Sequence, residues 1–269
     1  MQLINGVKTS QLSSLDRGLQ FGDGCFTTAK VNAGKVCHLA QHLARLARDS
    51  QRLGIHFDAW TQLEQEIVAL AQHSALGVVK ILLTRGVGGR GYSSAGCTDT
   101  QRILSLTSYP THYAAWQQQG VTLITSPIPL GRNPYLAGIK HLNRLEQVLI
   151  KNHLDSQQAQ EALVLDSQGH IVECCAANII WRKGLQLFTP ALTHCGVEGI
   201  MKGLVIEALQ AEGYHCSHVI QAPAALEQAD EVIICNALMP VLPVTGIDQW
   251  QYQPGEAMAT LIKLGFTAS

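Results

Sequence analysis

Residues 131–150 read GRNPYLAGIKHLNRLEQVLI, and Lys140 lies at the centre of this stretch. Turn-forming residues precede the lysine, and apolar residues follow it at helical spacing, among them Leu145, Val148 and Leu149. The pattern predicts irregular backbone at Lys140, immediately before a helix. Its apolar neighbours Ile139 and Leu142 would reduce solvation of the amine and favour its neutral, nucleophilic form.

Composition limits the classes of function that the chain can have. Its 269 residues suffice for one large domain or two modest ones, and 46% hydrophobic residues support a sizeable core. Charged residues make up only 14%, against about a quarter in a typical soluble chain, which surface buried in an oligomer would explain. The net charge of -1 gives no electrostatic argument for binding nucleic acid or an anionic membrane.

The cysteine pattern and the short lengths of the hydrophobic runs indicate a cytoplasmic, soluble protein. The 8 cysteines include no CxxC pair, which is typical of buried thiols in a reducing compartment. The only cysteine between close histidines, in residues 215–218, has no second ligand pair, so no metal site is predicted. The N-terminus has no apolar signal core, and no run approaches the ~18 apolar residues of a membrane span.

The segment GIKHLNRLEQVL resembles the Schiff-base lysine segment of the fold-type IV pyridoxal-phosphate enzymes, and the resemblance extends along nearly the whole chain. It implies an α+β fold of two domains, a smaller N-terminal α/β domain at 1–109 and a larger C-terminal domain at 120–269 that binds the cofactor. The polar stretch 110–119 is expected to link them. The implied cofactor is pyridoxal 5'-phosphate, with Lys140 as its covalent attachment and catalytic residue.

Two further site residues are expected in the N-terminal half. Residues 38–53 carry leucines at helical spacing, and Arg45 lies off that stripe, so by itself it would be an exposed arginine. Its segment HLARL, however, resembles the family's phosphate-binding helix, which implies that Arg45 holds the cofactor phosphate through its planar fork. The strand-like segment CFTT, residues 25–28, resembles the family's active-site strand, which implies a catalytic Thr28 at the pocket wall. From the residues alone, Thr27 and Thr28 are equally well explained as ordinary strand threonines.

The C-terminal half supplies the other expected cofactor contacts. Residues 171–180, IVECCAANII, are predicted to form one strand, and Glu173 within it would be either a solvent-facing glutamate or a buried one that needs a partner. The resemblance implies that Glu173 pairs with the pyridine nitrogen of the cofactor. Residues 196–209 read as a glycine-led helix start, which suits phosphate binding. The resemblance places the Ile200 and Met201 amides there, although related aminotransferases have a threonine at Met201.

The glycine-rich stretch RGVGGRGY, residues 85–92, fits the G-x-G-x-x-G spacing of dinucleotide-binding proteins. No apolar helical pattern follows it, and no acidic residue stands about 20 residues downstream, so that interpretation is rejected. A flexible loop near the active site is expected instead, with Arg90 and Tyr92 as substrate-binding residues or, equally, as a solvent-exposed hairpin tip. Asn236 and Ala237 correspond to a substrate-side loop of the family.

The sequences GIKHLNRLEQVL and CNALMPV most resemble those of the lyase branch of the family, which converts 4-amino-4-deoxychorismate to 4-aminobenzoate and pyruvate. The alternative is a branched-chain or D-amino-acid aminotransferase, because fold alone does not separate the two activities. A nucleotide-binding module is a third and weaker alternative. A small-molecule substrate and a homodimer are expected, and neither nucleic acid nor membrane is expected as a partner.

Overall fold

The computed structural model describes residues 1–267, which pack as two compact units. The first unit comprises Met1–Pro110 together with Ile139–Asn143. The second comprises Thr111–Gly138 and the chain from Arg144 onward. Lys140 therefore packs in the first unit, although the residues on both sides of its segment belong to the second. The domain limits at 109 and 120 stay a prediction.

The first unit is built on one antiparallel sheet flanked by helices. Its strands are β1 (Gln2–Ile4), β2 (Val7–Lys8), β3 (Gly24–Asn32), β4 (Lys35–Val36), β5 (Leu76–Thr84) and β6 (Gln101–Ser108). Within residues 1–267 they form a six-stranded sheet in the order β2-β1-β6-β5-β3-β4. Its helices are α1 (Arg17–Phe21), α2 (Leu39–Arg52) and α3 (Trp60–Ala71).

The apolar faces of α2 and α3 form the core of this unit against β3 and β5. Leu46 of α2 is fully buried there, with Leu63 and Ile67 of α3 and Val79 and Ile81 of β5. The leucine stripe that predicted α2 thus faces the sheet, as the helical period requires. This packing fixes α2 across β3, the strand that carries Phe26 and Thr28.

The second unit holds the larger sheet. Its strands are β7 (Val121–Thr125), β8 (Glu161–Leu165), β9 (Ile171–Cys174), β10 (Asn178–Lys183), β11 (Gln186–Pro190), β12 (His215–Val219), β13 (Glu231–Cys235), β14 (Leu242–Ile247) and β15 (Trp250–Gln251). In the described part of the chain the order is β12-β11-β10-β13-β14-β7-β8-β9, and β15 pairs with β14. The pairs β11–β12, β14–β7 and β7–β8 are parallel.

The helices of the second unit are α4 (Tyr113–Gln119), α5 (Leu145–Asp155), α6 (Ile200–Ala211) and α7 (Glu256–Lys263), and Pro223–Leu226 forms a short 3₁₀ helix. Buried apolar residues of α6 and α7, such as Val205 and Leu261, share a core with Ile233 of β13. Helix α4 lies within the stretch that was expected to be a linker. It is ordered because Tyr113 and Trp116 pack on the sheet's other core.

The single strand predicted for residues 171–180 is wrong, because the chain bends at 175–177 between β9 and β10. Within the bend, the Cys175 amide still donates to the Ala162 carbonyl of β8 at 3.1 Å. At Ala176 side chains satisfy the backbone: the Glu161 carboxylate accepts from its amide at 3.1 Å, and Asn236 Nδ2 donates to its carbonyl at 2.9 Å. Burial raises the pKa of Glu161 to about 7. The local sequence did not reveal this break, because the side chains that bind Ala176 are distant along the chain.

Three general features concern the whole described chain. All 8 cysteines are free. No group of three or more His, Cys, Asp or Glu side chains in residues 1–267 is arranged to hold a metal ion. None of the helices found in those residues has both the length and the apolarity that a membrane crossing requires.

Candidate active site

The backbone around Lys140 is fixed within the first unit, on irregular chain before α5 as the sequence predicted. The Phe26 amide of β3 donates to the Lys140 carbonyl at 2.9 Å, and the Leu142 amide donates to Gly24 at 3.0 Å. On the other side, the Lys140 amide donates to the Asp49 carboxylate of α2 at 2.9 Å. Both peptide groups of the lysine are thus held by regular elements.

The amine of Lys140 lies over an aromatic ring on the same face of the sheet as Thr28. Its Nζ is 4.6 Å from the centroid of the Phe26 ring, and Lys80 Nζ lies 5.1 Å from the same ring. Thr28 stands two residues after Phe26, hence on the same face of β3, and is paired directly with Lys80 of β5. The half-buried Thr28 hydroxyl and two lysines therefore share one small area.

Sequence reasoning missed Lys80. An isolated lysine in a strand reads as a solvent-facing residue, and nothing in its neighbours distinguishes it. The signal that could have found it is the register of the β3–β5 pair, which sets Lys80 opposite Thr28.

Arg45 is buried, 6% exposed, although its position off the leucine stripe suggested an exposed residue. Its Nη2 donates to the hydroxyl of Thr27, and that oxygen lies 2.6 Å from His42 Nδ1. We assign the hydroxyl proton to Nδ1, which puts the proton of the neutral ring on Nε2, a buried atom with no hydrogen-bond partner among residues 1–267. Burial lowers the pKa of His42 to about 3, with smaller contributions from Arg45 and His38.

The guanidinium of Arg45 retains a donor without an acceptor. Its Nε is buried and has no hydrogen-bond partner among residues 1–267. Burial lowers the Arg45 pKa to about 10, so the group remains cationic at neutral pH. A buried cation with an unmet N–H is stabilised by an anion that can accept from it, and a phosphate oxygen is such an acceptor.

In the second unit, Glu173 is buried at the end of β9 and has a partner. It is 5% exposed, and its Oε2 accepts from the Val197 amide at 2.8 Å. Gly196 adopts φ +87°, and a Cβ there would lie 2.7 Å from Val172 Cγ1. Only glycine lets this loop pass so close to β9 without strain. The carboxylate is thereby held beside the loop that leads into α6.

A side-chain hydrogen bond holds the loop that leads into the first turn of α6. Asn178 Nδ2 donates to the Val197 carbonyl at 2.9 Å, and Gly199 is the residue immediately before the helix. Ile200 and Met201 are its first two residues, half-buried and buried respectively. Amides of a first turn have no acceptor within their own helix, and the helix dipole adds positive potential, so this end of α6 can bind an anion.

The glycine-rich loop between β5 and β6 is clamped by a residue that sequence reasoning missed. Arg17, buried in α1, donates to the carbonyls of Gly91 at 3.0 Å, Ser93 at 3.1 Å and Tyr92 at 3.2 Å. Its Nε donates to Asp23 at 2.9 Å. In the described residues the loop leads to β6 rather than to a helix, so it lacks the arrangement that dinucleotide binding needs.

The predicted substrate-binding residues lie in two different loops. Arg90 and Tyr92 lie at the exposed tip of this loop, and Tyr92 is 89% exposed with its ring 5.6 Å from that of Phe21. Asn236 and Ala237 are half-buried in the turn after β13. Asn236 Oδ1 accepts from the amides of Leu238 at 2.8 Å and Met239 at 2.9 Å, so this side chain also shapes the turn.

Comparison with known proteins assigns the family. The model of the amino-transferase class IV family matches residues 24–247. The chain belongs to this family. It is 40% identical over 245 residues, 91% of this chain and 90% of the relative, to the aminodeoxychorismate lyase of Vibrio harveyi. The crystal structure of 4-amino-4-deoxychorismate lyase from Pseudomonas aeruginosa is similar with a TM-score of 0.94 and 36% identity, covering 98% of this chain and 97% of that one.

More distant members share the fold alone. A hypothetical aminotransferase from Mycobacterium tuberculosis in its PLP-bound form has a TM-score of 0.81 at 19% identity and covers 96% of this chain and 92% of its own. The matches confirm the predicted α+β fold of the fold-type IV enzymes and the family resemblance read from the sequence.

Proposed function

We propose that the protein is a pyridoxal-phosphate-dependent lyase that converts 4-amino-4-deoxychorismate to 4-aminobenzoate and pyruvate. The observation that carries this proposal is the similarity, over nearly the whole chain, to two proteins that bear this lyase name. The reaction is an elimination: the substrate loses one ring proton and its enolpyruvyl group, and the ring becomes aromatic. It consumes no water, oxidant or second substrate.

Each unit has residues that fit parts of this cofactor. In the first unit, the unmet buried N–H of Arg45 is suited to a phosphate oxygen. In the second unit, the first-turn amides of Ile200 and Met201 are suited to an anion such as phosphate. Buried Glu173 is suited to the ring nitrogen, and Lys140 to the covalent link. When bound, the cofactor supplies an electron-withdrawing ring that stabilises negative charge at the substrate carbon next to nitrogen.

The catalytic roles fall to residues of the first unit. The Lys140 amine removes the ring proton of the substrate, which requires its neutral form at that moment. The Thr28 hydroxyl shares the Phe26 face with this amine and donates a proton toward the leaving enolpyruvyl oxygen. Lys80, opposite Thr28, is a cation of the type that a substrate carboxylate requires.

The substrate has two carboxylates, so more than one donor is needed. Arg90 and Tyr92 on the clamped loop, and Asn236 and Ala237 after β13, are proposed to contribute to its binding. The Arg17 clamp supports this role for the loop, because a fixed backbone reduces the entropy lost when Arg90 binds an anion.

A homodimer is proposed from the surface of α5. Leu145, Val148 and Leu149 are 70%, 50% and 46% exposed and recur at helical spacing on one face. A contiguous apolar stripe of this kind is typical of a surface that another protein covers. With only 14% charged residues in the chain, a second copy is the proposed occupant. We also propose a cytoplasmic location, which the free cysteines support, and the two-domain division at 1–109 and 120–269.

The test is a product assay with purified protein and 4-amino-4-deoxychorismate as the only organic substrate. The proposal expects 4-aminobenzoate and pyruvate in equal amounts, with no oxo acid required, and expects Lys140→Ala to form neither. An aminotransferase, in contrast, would stop after one turnover until an oxo acid is added. Sustained turnover that depends on an oxo acid, without release of pyruvate, would replace the lyase with that alternative.

A further inference from the structure

Asp49 is a buried charge to which the proposed reaction gives no role. It lies on α2 and is fully buried, 0% exposed. Burying a carboxylate costs free energy unless its oxygens accept hydrogen bonds. A fully buried aspartate therefore suggests a structural or functional role for its charge. Both oxygens of Asp49 accept hydrogen bonds, and one of the donors is the backbone amide of Lys140.

One oxygen of Asp49 holds the lysine. Its Oδ2 accepts from the backbone amide of Lys140 at 2.9 Å, while the opposite side of that peptide is held by Phe26 of β3. A charged acceptor makes a stronger hydrogen bond than a neutral one. The position of the Lys140 backbone is therefore tied to helix α2 as well as to the sheet.

The other oxygen binds the neutralising charge. Asp49 Oδ1 accepts from Arg48 Nε at 3.0 Å and Nη2 at 2.9 Å, and the Arg48 side chain is 44% exposed. Arg48 therefore binds this buried carboxylate although its own side chain is partly exposed. The two oxygens of Asp49 thus bind different groups, the Arg48 side chain at Oδ1 and the Lys140 amide at Oδ2.

Asp49 also stands next to Arg45. The two residues are one turn apart on the same face of α2, about 6 Å along the helix axis. The carboxylate favours the charged form of Arg45 and so opposes the lowering of the Arg45 pKa by burial. Lys140, the proposed covalent end of the cofactor site, is thus held by a side chain that lies one turn from Arg45, the proposed phosphate end, on the same helix.

We propose that Asp49 is a positioning residue, which sets the spacing between the Lys140 amine and the Arg45 guanidinium. The inference rests on the proposed function, because it assigns those two groups to one cofactor. Asp49 itself contacts neither substrate nor cofactor. It acts through the Lys140 backbone, so its removal weakens the covalent end of the site.

The experiment is a double-mutant cycle that measures pyridoxal 5'-phosphate affinity rather than turnover. Cofactor-free wild-type, Asp49→Ser, Lys140→Ala and double-variant proteins are titrated with the cofactor and followed by absorbance. Loss of one charge-assisted hydrogen bond predicts a dissociation constant raised about tenfold or more in Asp49→Ser. In the Lys140→Ala background the same substitution should change it less than about twofold, since there is no amine to position.

Controls separate positioning from simple destabilisation. Asp16→Ser removes another fully buried aspartate of the same unit, which caps α1 and binds Thr84 rather than Lys140. It should lower the melting temperature while leaving cofactor affinity unchanged. If Asp49→Ser does not fold, Asp49→Asn takes its place in the cycle. It keeps the volume and loses the charge, and should raise the dissociation constant by about threefold or more, again only when Lys140 is present.

Two results would overturn the inference. One is an Asp49 variant that binds the cofactor as wild type does. The other is an equal loss of affinity with and without Lys140, which would make Asp49 a residue of the phosphate end or of the fold in general. Wild-type protein that forms no covalent link at Lys140 would be a different result, because it would contradict the proposed function itself.

Discussion

The buried histidine next to Arg45 makes stability depend on pH in a way that can be measured. Burial lowers the pKa of His42 from 6.5 to about 3 in the folded protein. The unfolded chain binds a proton at this residue below pH 6.5, and the folded chain does so only near pH 3. The contribution of His42 to the free energy of unfolding is therefore fully present above pH 6.5 and is lost as the pH falls toward 3.

The magnitude follows from the same values. Each pH unit between the two pKa values is worth about 1.4 kcal/mol, so His42 alone should remove about 2 kcal/mol of unfolding free energy between pH 6.5 and pH 5. The His42→Asn variant, which cannot titrate in this range, should lose about 2 kcal/mol less than wild type over that interval. His73→Asn, at an exposed position, should behave as wild type does.

The assay is urea unfolding of cofactor-free protein at pH 6.5 and pH 5, followed by circular dichroism and tryptophan fluorescence together. Coincident transitions justify a single free energy for each protein. Absence of cofactor removes the additional stabilisation that a bound ligand contributes. A wild type and a His42→Asn variant with equal pH dependence would refute the buried, neutral histidine and, with it, the hydrogen-bond direction assigned to Thr27.

Four further outcomes are expected from variants of the site and surface. Lys140→Ala should abolish turnover, because attachment and proton transfer use one amine, and single-turnover kinetics would detect any residual rate. Glu173→Gln should retain cofactor absorbance but slow proton abstraction, and an unchanged rate at full occupancy would remove its assigned role. Arg90→Ala should lower kcat/KM by an amount equivalent to about 1.5–3 kcal/mol of transition-state binding, without loss of cofactor. Kinetics equal to those of the wild type would show that Arg90 has no role in substrate binding. Val148→Glu should shift sedimentation toward monomer while Val68→Glu, an exposed valine on α3, should not; equal sedimentation would exclude α5 as the interface.

The elements with strong periodicity were predictable, and the departures from it were not. The leucine stripe of α2 indicates its buried face because it matches the helical period, and the continuous apolar, β-branched run of β5 is typical of a largely buried strand. The bend at 175–177 interrupts a mostly apolar run, and its hydrogen bonds involve Glu161 and Asn236, which are distant in sequence. Long-range hydrogen bonds of this kind leave no local trace.

The site shows the same division. Lys140, Arg45 and Glu173 were predicted as site residues because the sequences around them resemble segments of the family. Asp49 and Lys80 were missed, since what matters in each is a contact across the fold: a carboxylate to a backbone amide, and a strand register opposite Thr28. Burial was also beyond local reasoning, because Arg45 lies off the leucine stripe yet is enclosed with Thr27 and His42.

Lys140 is proposed to carry the cofactor of a lyase, and chemical trapping of that bond is the decisive experiment. Purified protein with bound pyridoxal 5'-phosphate is reduced with borohydride, digested and mapped by mass spectrometry. We expect pyridoxyl label on Lys140, at a stoichiometry that matches the loss of 4-aminobenzoate formation. Label on another lysine, such as Lys80 beside the same ring, or full activity after complete labelling of Lys140, would contradict it.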